Sequence, residues 1–249
     1  MKTKPPPEIF YPDSDGQPMA DNTLQFDWIA ILKWNIEACF RARPDVFVAG
    51  DHLIYPVEGD PETRQAPDVY VAFGAEKKYR GSYRVWEEKG IFPQVVFEVW
   101  SPNNRFEQMQ KKLAFYERFG AEEYYIVYPD HPSHLEIWIR REGKFESIAE
   151  PNGFVSPRLG LRFLLERGSL TVYGPDGRQL KRPDEIAEQL EETEEWLARE
   201  RVRAEQERQR AETEKQRAEA ERQRAEAEKQ RADFLAARLR QLGVDPDAP

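Results

Sequence analysis

Residues 94–104 read Gln-Val-Val-Phe-Glu-Val-Trp-Ser-Pro-Asn-Asn. From Val95 to Trp100 the run is apolar except for Glu98, too continuous for a strand with one wet face and too short for an ordinary helix. It predicts a central strand, buried on both faces. Ser101-Pro102-Asn103-Asn104 breaks it with turn residues. Residues 107–119 then carry Met109, Leu113, Phe115, Tyr116 and Phe119 at helical spacing and close at Gly120. Further strands are expected at 123–128 and 135–139. Upstream, Asp21-Asn22-Thr23 reads as a helix start, with apolar residues at 28, 29, 31, 32, 36 and 40. Short strands are expected at Val46–Ala49, 51–55 and Val69–Phe73, the last following Ala66-Pro67-Asp68. The fold class is therefore α/β (α+β), with mixed elements in one domain.

The polar residue in the central run is Glu98. A carboxylate buried in a strand costs several kcal/mol unless it is paired, hydrogen-bonded or bound to a cation. Asp68 stands after a proline at the start of another strand, and Lys111 and Lys112 arrive in the next helix. Two carboxylates and a lysine are the minimal kit for magnesium-dependent phosphodiester hydrolysis. The acids hold a hard cation whose shell is completed by water, and the cation polarises the phosphoryl oxygen. The lysine positions or deprotonates the attacking water and offsets transition-state charge. A structural, hydrogen-bonded glutamate is the competing account of the same residue.

The 249 residues allow one large or two small domains, and 33% of them are charged. No apolar run is long enough to span a membrane. Residues 1–7, Met-Lys-Thr-Lys-Pro-Pro-Pro, lack the apolar core of a secretory signal, so a cytoplasmic protein without membrane association is expected. One cysteine, Cys39, excludes an internal disulfide and a cysteine-built zinc site. The net charge of -9 opposes bulk attraction to nucleic acid, but it is unevenly placed. Residues 1–183 hold 24 basic and 27 acidic groups, giving -3; residues 184–249 hold 13 and 19, giving -6.

That division is also structural. Residues 1–20 contain five prolines and read as a flexible leader, 21–180 as the globular domain, 184–242 as a long helix and 243–249 as a flexible tail. Residues 184–242 contain neither Gly nor Pro, which permits a helix of 59 residues, about 88 Å long. A seven-residue repeat (RQRAETE, KQRAEAE, RQRAEAE) places Ala204, Ala211, Ala218, Ala225 and Ala232 in one column, with Leu190, Leu197 and Leu239 in phase. This is a coiled-coil seam for a homo-oligomer or a partner protein. Yet Glu207, Glu214, Glu221 and Glu228 take the second core position, and i,i+3 and i,i+4 charge pairs would equally support a single solvated helix.

The blocks DNTLQF, VFVAGDHLIYPVEGD, QAPDVYVAFG, RGSYRVWEE, PQVVFEVWSPNN and QKKLAFYERFGAEEYY resemble, in order, the Uma-two family, common in cyanobacteria. The resemblance covers about residues 20–180. It implies a restriction-endonuclease-like PD-(D/E)xK fold: a mixed central sheet flanked by helices, here followed by the long C-terminal helix. It also implies a DNA endonuclease with Mg2+ or Mn2+ as cofactor. By position, Asp68 and Glu98 are the catalytic acids and metal ligands. The superfamily lysine would fall at position 100, which is Trp100, so the resemblance moves the basic role to Lys112, with Lys111 as the alternative. Glu37 on the first helix is a possible accessory acid. Tyr128 stands where many members carry Asp.

Lys77, Lys78, Arg80 and Arg84, interleaved with Tyr79 and Tyr83, form a basic patch that could track a phosphate backbone or be a solvated loop. His52, His131 and His134 are too scattered for a zinc or histidine-based site, and Gln94 reads as structural. A catalytically weak nuclease-fold scaffold acting through its coiled coil is the alternative to a metal-dependent endonuclease.

Overall fold

The computed structural model of the protein describes residues 9–14, 16 and 18–241. Its first half contains α1 (Thr23–Cys39), β1 (Val46–Ala49), β2 (Ile54–Tyr55), β3 (Val69–Phe73), β4 (Tyr83–Arg84) and β5 (Val95–Val99). There follow α2 (Phe106–Phe119), β6 (Glu123–Tyr128), β7 (His134–Arg141), β8 (Lys144–Ser147), β9 (Arg162–Glu166), β10 (Ser169–Tyr173) and α3 (Pro183–Gln241). The chain divides into two compact units between Ile186 and Ala187.

Six strands form a mixed sheet in the order β1-β3-β5-β6-β7-β8, with β5 and β6 parallel and every other neighbouring pair antiparallel. A parallel pair needs a crossover, and α2 supplies it. All five residues of β5 are buried, as expected of the central strand. Its odd-numbered residues Val95, Phe97 and Val99 pack with Ile29, Leu32 and Ile36 of α1 and with Phe163 and Val172 of β9 and β10. Val96 packs on the opposite face with Met109 and Tyr116 of α2 and with Tyr83. Alternation along the strand thus sends Glu98 to the α2 face.

α1 begins where Asn22 accepts the Gln25 N–H at 2.8 Å, satisfying one of the orphan amides of its first turn. α2 ends at Gly120, whose φ of 101° only glycine adopts readily. The strand expected at 51–55 is only two residues long. Asp51 takes a left-handed φ of 48° and folds back on the β3 entry, so pairing starts at Ile54, beside Tyr83. Neither the short β4 nor the β9–β10 hairpin was anticipated; the latter turns through Arg167 and Gly168, both at positive φ.

The long helix runs from Pro183, one residue before its expected start. Proline suits this first position because the missing N–H has no partner there in any helix. Residues 242–249, including the expected tail, lie outside the described residues, as do residues 1–8 of the expected leader. Within the described leader, Tyr11 is held: its hydroxyl accepts the Gly59 N–H at 2.6 Å and its ring meets Tyr55 and Trp86. Among the described residues no helix is long and apolar enough to cross a membrane.

Candidate active site

Antiparallel pairing of Val69 with Phe97 carries the register one step further, to Asp68 opposite Glu98. Both side chains then belong to the face covered by α2, because 68, 70 and 72 alternate with the positions facing α1. Asp68 lies just outside β3, and its Oδ2 accepts the Val99 N–H at 2.6 Å, continuing the ladder through a side chain. Glu98 is 2% exposed. Its Oε2 accepts from Lys112 Nζ at 2.7 Å and its Oε1 from the Tyr116 hydroxyl at 2.8 Å. Lys112 and Tyr116 are one helical turn apart on α2, so one face delivers both donors.

Burial, and then the nearby charge of Glu98, pushes the Asp68 carboxyl up to about 7, while Lys112 and the Val99 N–H act in the opposite direction. Tyr116, fully buried beside that same charge, is held well above the usual phenol range and keeps its proton to donate. Two neighbouring carboxyl groups with oxygen donors alone suit a hard divalent cation, whose charge would offset theirs. Among the described residues no three His, Cys, Asp or Glu side chains are grouped to hold a metal. A cation on Asp68 and Glu98 would therefore complete its shell with water, as Mg2+ commonly does.

Asp68 and Lys112 open onto a cavity of about 500 Å3, lined also by Asp21, Gln25, Asp51, Asn104, Gln108 and Lys111, while Glu98 lies buried behind Lys112. Backbone close approach shapes one wall. A Cβ on Gly50 would stand 2.5 Å from the Asp68 carbonyl oxygen, and the Asp51 N–H donates to the Pro67 carbonyl at 3.1 Å. On another wall, Gln25 donates through Nε2 to the Val99 carbonyl at 2.9 Å and accepts the Asp21 N–H at 2.8 Å. Asp21 in turn accepts the hydroxyl of buried Ser101.

A family model described as "Putative restriction endonuclease", Uma2, matches residues 17–207. The chain belongs to the Uma2 family. The match runs past the domain into the first part of α3. Among solved structures, the chain is similar to a "putative nuclease belonging to DUF820" from Anabaena variabilis, at 14% identity and a TM-score of 0.41. That similarity covers 55% of this chain and 72% of the other. No curated protein matches at a significant level.

In this Uma2 domain, Asp68, Glu98 and Lys112 lie together, and Lys111 lines the same cavity. Trp100, at the expected lysine position, stacks on Tyr128 with ring centroids 5.2 Å apart. Tyr128 donates to Glu136 at 2.8 Å. Glu37 is not brought to the cavity; it pairs with Lys33 at 2.6 Å, one turn away on α1.

The basic patch is also spent elsewhere. Arg80 has a side chain only 4% exposed, held by Glu88 at 2.8 Å and packed over Phe47, so it is unavailable to a phosphate in this structure. Lys78 shares Glu88, Lys77 caps the carbonyls of Phe40 and Arg41, and Arg84 pairs with Glu87. None of the four lines the cavity. His52 lies against Tyr70 and the Arg80 carbonyl, and Gln94 bridges to Phe73, both structural placements.

Tyr116, Gln25, Asp21 and Asp51 were missed as site residues. Tyr116 had a readable signal, four residues after Lys112. Gln25 and Asp51 had none, because their roles depend on where a helix start and a loop return in space.

Proposed function

We propose that this Uma2 chain is a divalent-metal-dependent endonuclease that hydrolyses phosphodiester bonds in DNA. The observation that carries the reading is the convergence of Asp68, Glu98 and Lys112, from the β3 entry, β5 and α2, with Asp68 and Lys112 lining one cavity and Glu98 paired to Lys112 behind it. Asp68 and Glu98 would hold Mg2+ or Mn2+, which when bound supplies Lewis-acid polarisation of a phosphoryl oxygen and activation of water. Tyr116 fixes the rotamer of Glu98, and the Val99 N–H fixes Asp68, so both carboxylates are preorganised. Lys112 offsets the charge of the acid pair and lies where an ammonium can stabilise developing phosphate charge. Gln25 holds the Val99 carbonyl and thereby the end of β5.

In this reading the protein acts in the cytoplasm, and α3 serves to join copies of the chain or to bind a partner through its heptad positions. A second reading, a catalytically weak scaffold of the same fold, draws on Trp100 at the superfamily lysine position and on a Glu98 already satisfied by Lys112 and Tyr116.

A cleavage assay with Mg2+ and Mn2+ on plasmid, duplex, single-stranded DNA and RNA substrates separates the two. Wild type is expected to cut DNA, with rates about 10²-fold lower or less than that in Asp68→Ala and Glu98→Ala. Cutting that survives both substitutions, or no cutting by wild type with either metal, rejects the endonuclease.

A further inference from the structure

The cavity has two chemically unlike walls. Asp21, Asp51 and Asp68 lie on the side of α1, the β1–β2 loop and the β3 entry. Asn104, Gln108 and Lys111 lie on the side of α2 and the loop before it. Gln108 and Lys111 share one face of α2 at a spacing of three, and Asn104 stands in the turn just before the helix.

The two carboxamides on the α2 side are oriented by the backbone. Asn104 Oδ1 accepts the Ser101 N–H at 2.8 Å, and Gln108 Oε1 accepts the Arg105 N–H at 3.1 Å. Each side-chain oxygen is therefore engaged by an amide that can only donate. What remains of each group is an NH2, and neither has a protein acceptor among the described residues. Lys111, exposed on the next turn, adds an ammonium that makes no ion pair among the described residues. These three side chains thus present unengaged N–H donors at the cavity, and they require a ligand that offers acceptors. An oxyanion meets that requirement, whereas a ligand presenting N–H groups does not.

We propose that Asn104, Gln108 and Lys111 form a second phosphate-binding subsite, which holds a phosphodiester group of the substrate strand next to the one at Asp68, Glu98 and Lys112. The proposal rests on the nuclease reading above and gives it a binding determinant outside the metal pair. Two of the three donors are neutral, so the subsite adds orientation with only one counterion released. This arrangement suits a domain in which Lys77, Lys78, Arg80 and Arg84 are engaged by its own acids and carbonyls.

Gln108→Glu and Asn104→Asp test this without disturbing the fold. Each retains the oxygen that accepts the backbone N–H, and an acid at the third position of a helix is favourable. Each replaces a donor with negative charge. Binding of fluorescein-labelled 20-nucleotide single-stranded and duplex DNA to the full chain would be measured by anisotropy with Ca2+, across a KCl series, together with steady-state cleavage with Mg2+. The double variant is expected to bind at least about tenfold more weakly and to raise KM with kcat little changed. Lys111→Gln is expected to reduce the slope of log K against log salt by about one, and Lys111→Arg to restore it. If wild type cuts DNA and these variants bind and cut equally well, the subsite falls and the nuclease reading stands. If wild type neither binds nor cuts, both fall.

Discussion

Glu98 shows how a buried acid is kept in a sheet: two donors from one helix face meet its two oxygens. Tyr116→Phe removes one donor without changing the packed volume and leaves a buried carboxylate oxygen unsatisfied. A loss of about 2 kcal/mol in urea denaturation is expected, with the native fold retained and cleavage lowered. Unchanged stability would mean that the Tyr116 hydroxyl does not hold Glu98. A second acid, Glu123, is 1% exposed and accepts from Tyr125, Ser156 and the Arg158 N–H. Burial is the largest influence on it and raises its carboxyl above the usual range. A group with a raised value in the folded state stabilises most below its unfolded value and loses that contribution as pH rises through the folded one. The melting temperature of wild type minus that of Glu123→Gln should therefore grow more positive from pH 7.5 to pH 4.5. A flat difference would contradict the assignment. Glu98 was conspicuous in the sequence because it interrupts an apolar run, whereas Glu123 sits at a strand start, where an acid attracts no notice.

Elements place these residues, and the placing is what a linear pattern conveys unevenly. The β5 run, α2 and the α1 start were legible because each buries a regular face. Asp68 and Glu98 could be placed on separate strands, but their direct opposition needed the β3–β5 register, which no local signal specifies. The β9–β10 hairpin escaped notice because its apolar face is complete only against distant parts of the chain, α1, β5 and β6 among them. The β1–β2 loop is the least legible part and yet it touches the site backbone. Gly50→Ala would place a Cβ 2.5 Å from the Asp68 carbonyl oxygen, a contact that requires the backbone to move. It should destabilise by about 1–3 kcal/mol and weaken cleavage more than a remote substitution of equal stability cost. Activity and stability at wild-type levels would show that the loop yields freely. At the start of α1, the Asn22 cap holds Gln25 in place and with it the Val99 carbonyl, so a local helix signal reaches the site indirectly.

Across the chain, acidity and structure are partitioned together. The charge of -9 gives -3 in residues 1–183 and -6 beyond, so average composition understates what the domain can bind. α3 carries internal charge pairs such as Glu195–Arg199 at 2.7 Å, and its side chains from 183 to 235 are exposed. The joining role proposed for α3 predicts that sedimentation gives the full chain the mass of two or more copies and a chain ending at Ile186 the mass of one. Monomers of both would make α3 a self-supporting single helix. The site itself has a different dependence. Its acids come from strands of the sheet, but Lys112 and Tyr116 come only from the crossover helix α2. Fraying of that helix would separate acid from base while the ladder between β3 and β5 stayed intact. Catalysis should therefore fade under mild denaturant before the sheet amides lose protection from hydrogen exchange, making turnover a local gauge of how firmly one helix is docked.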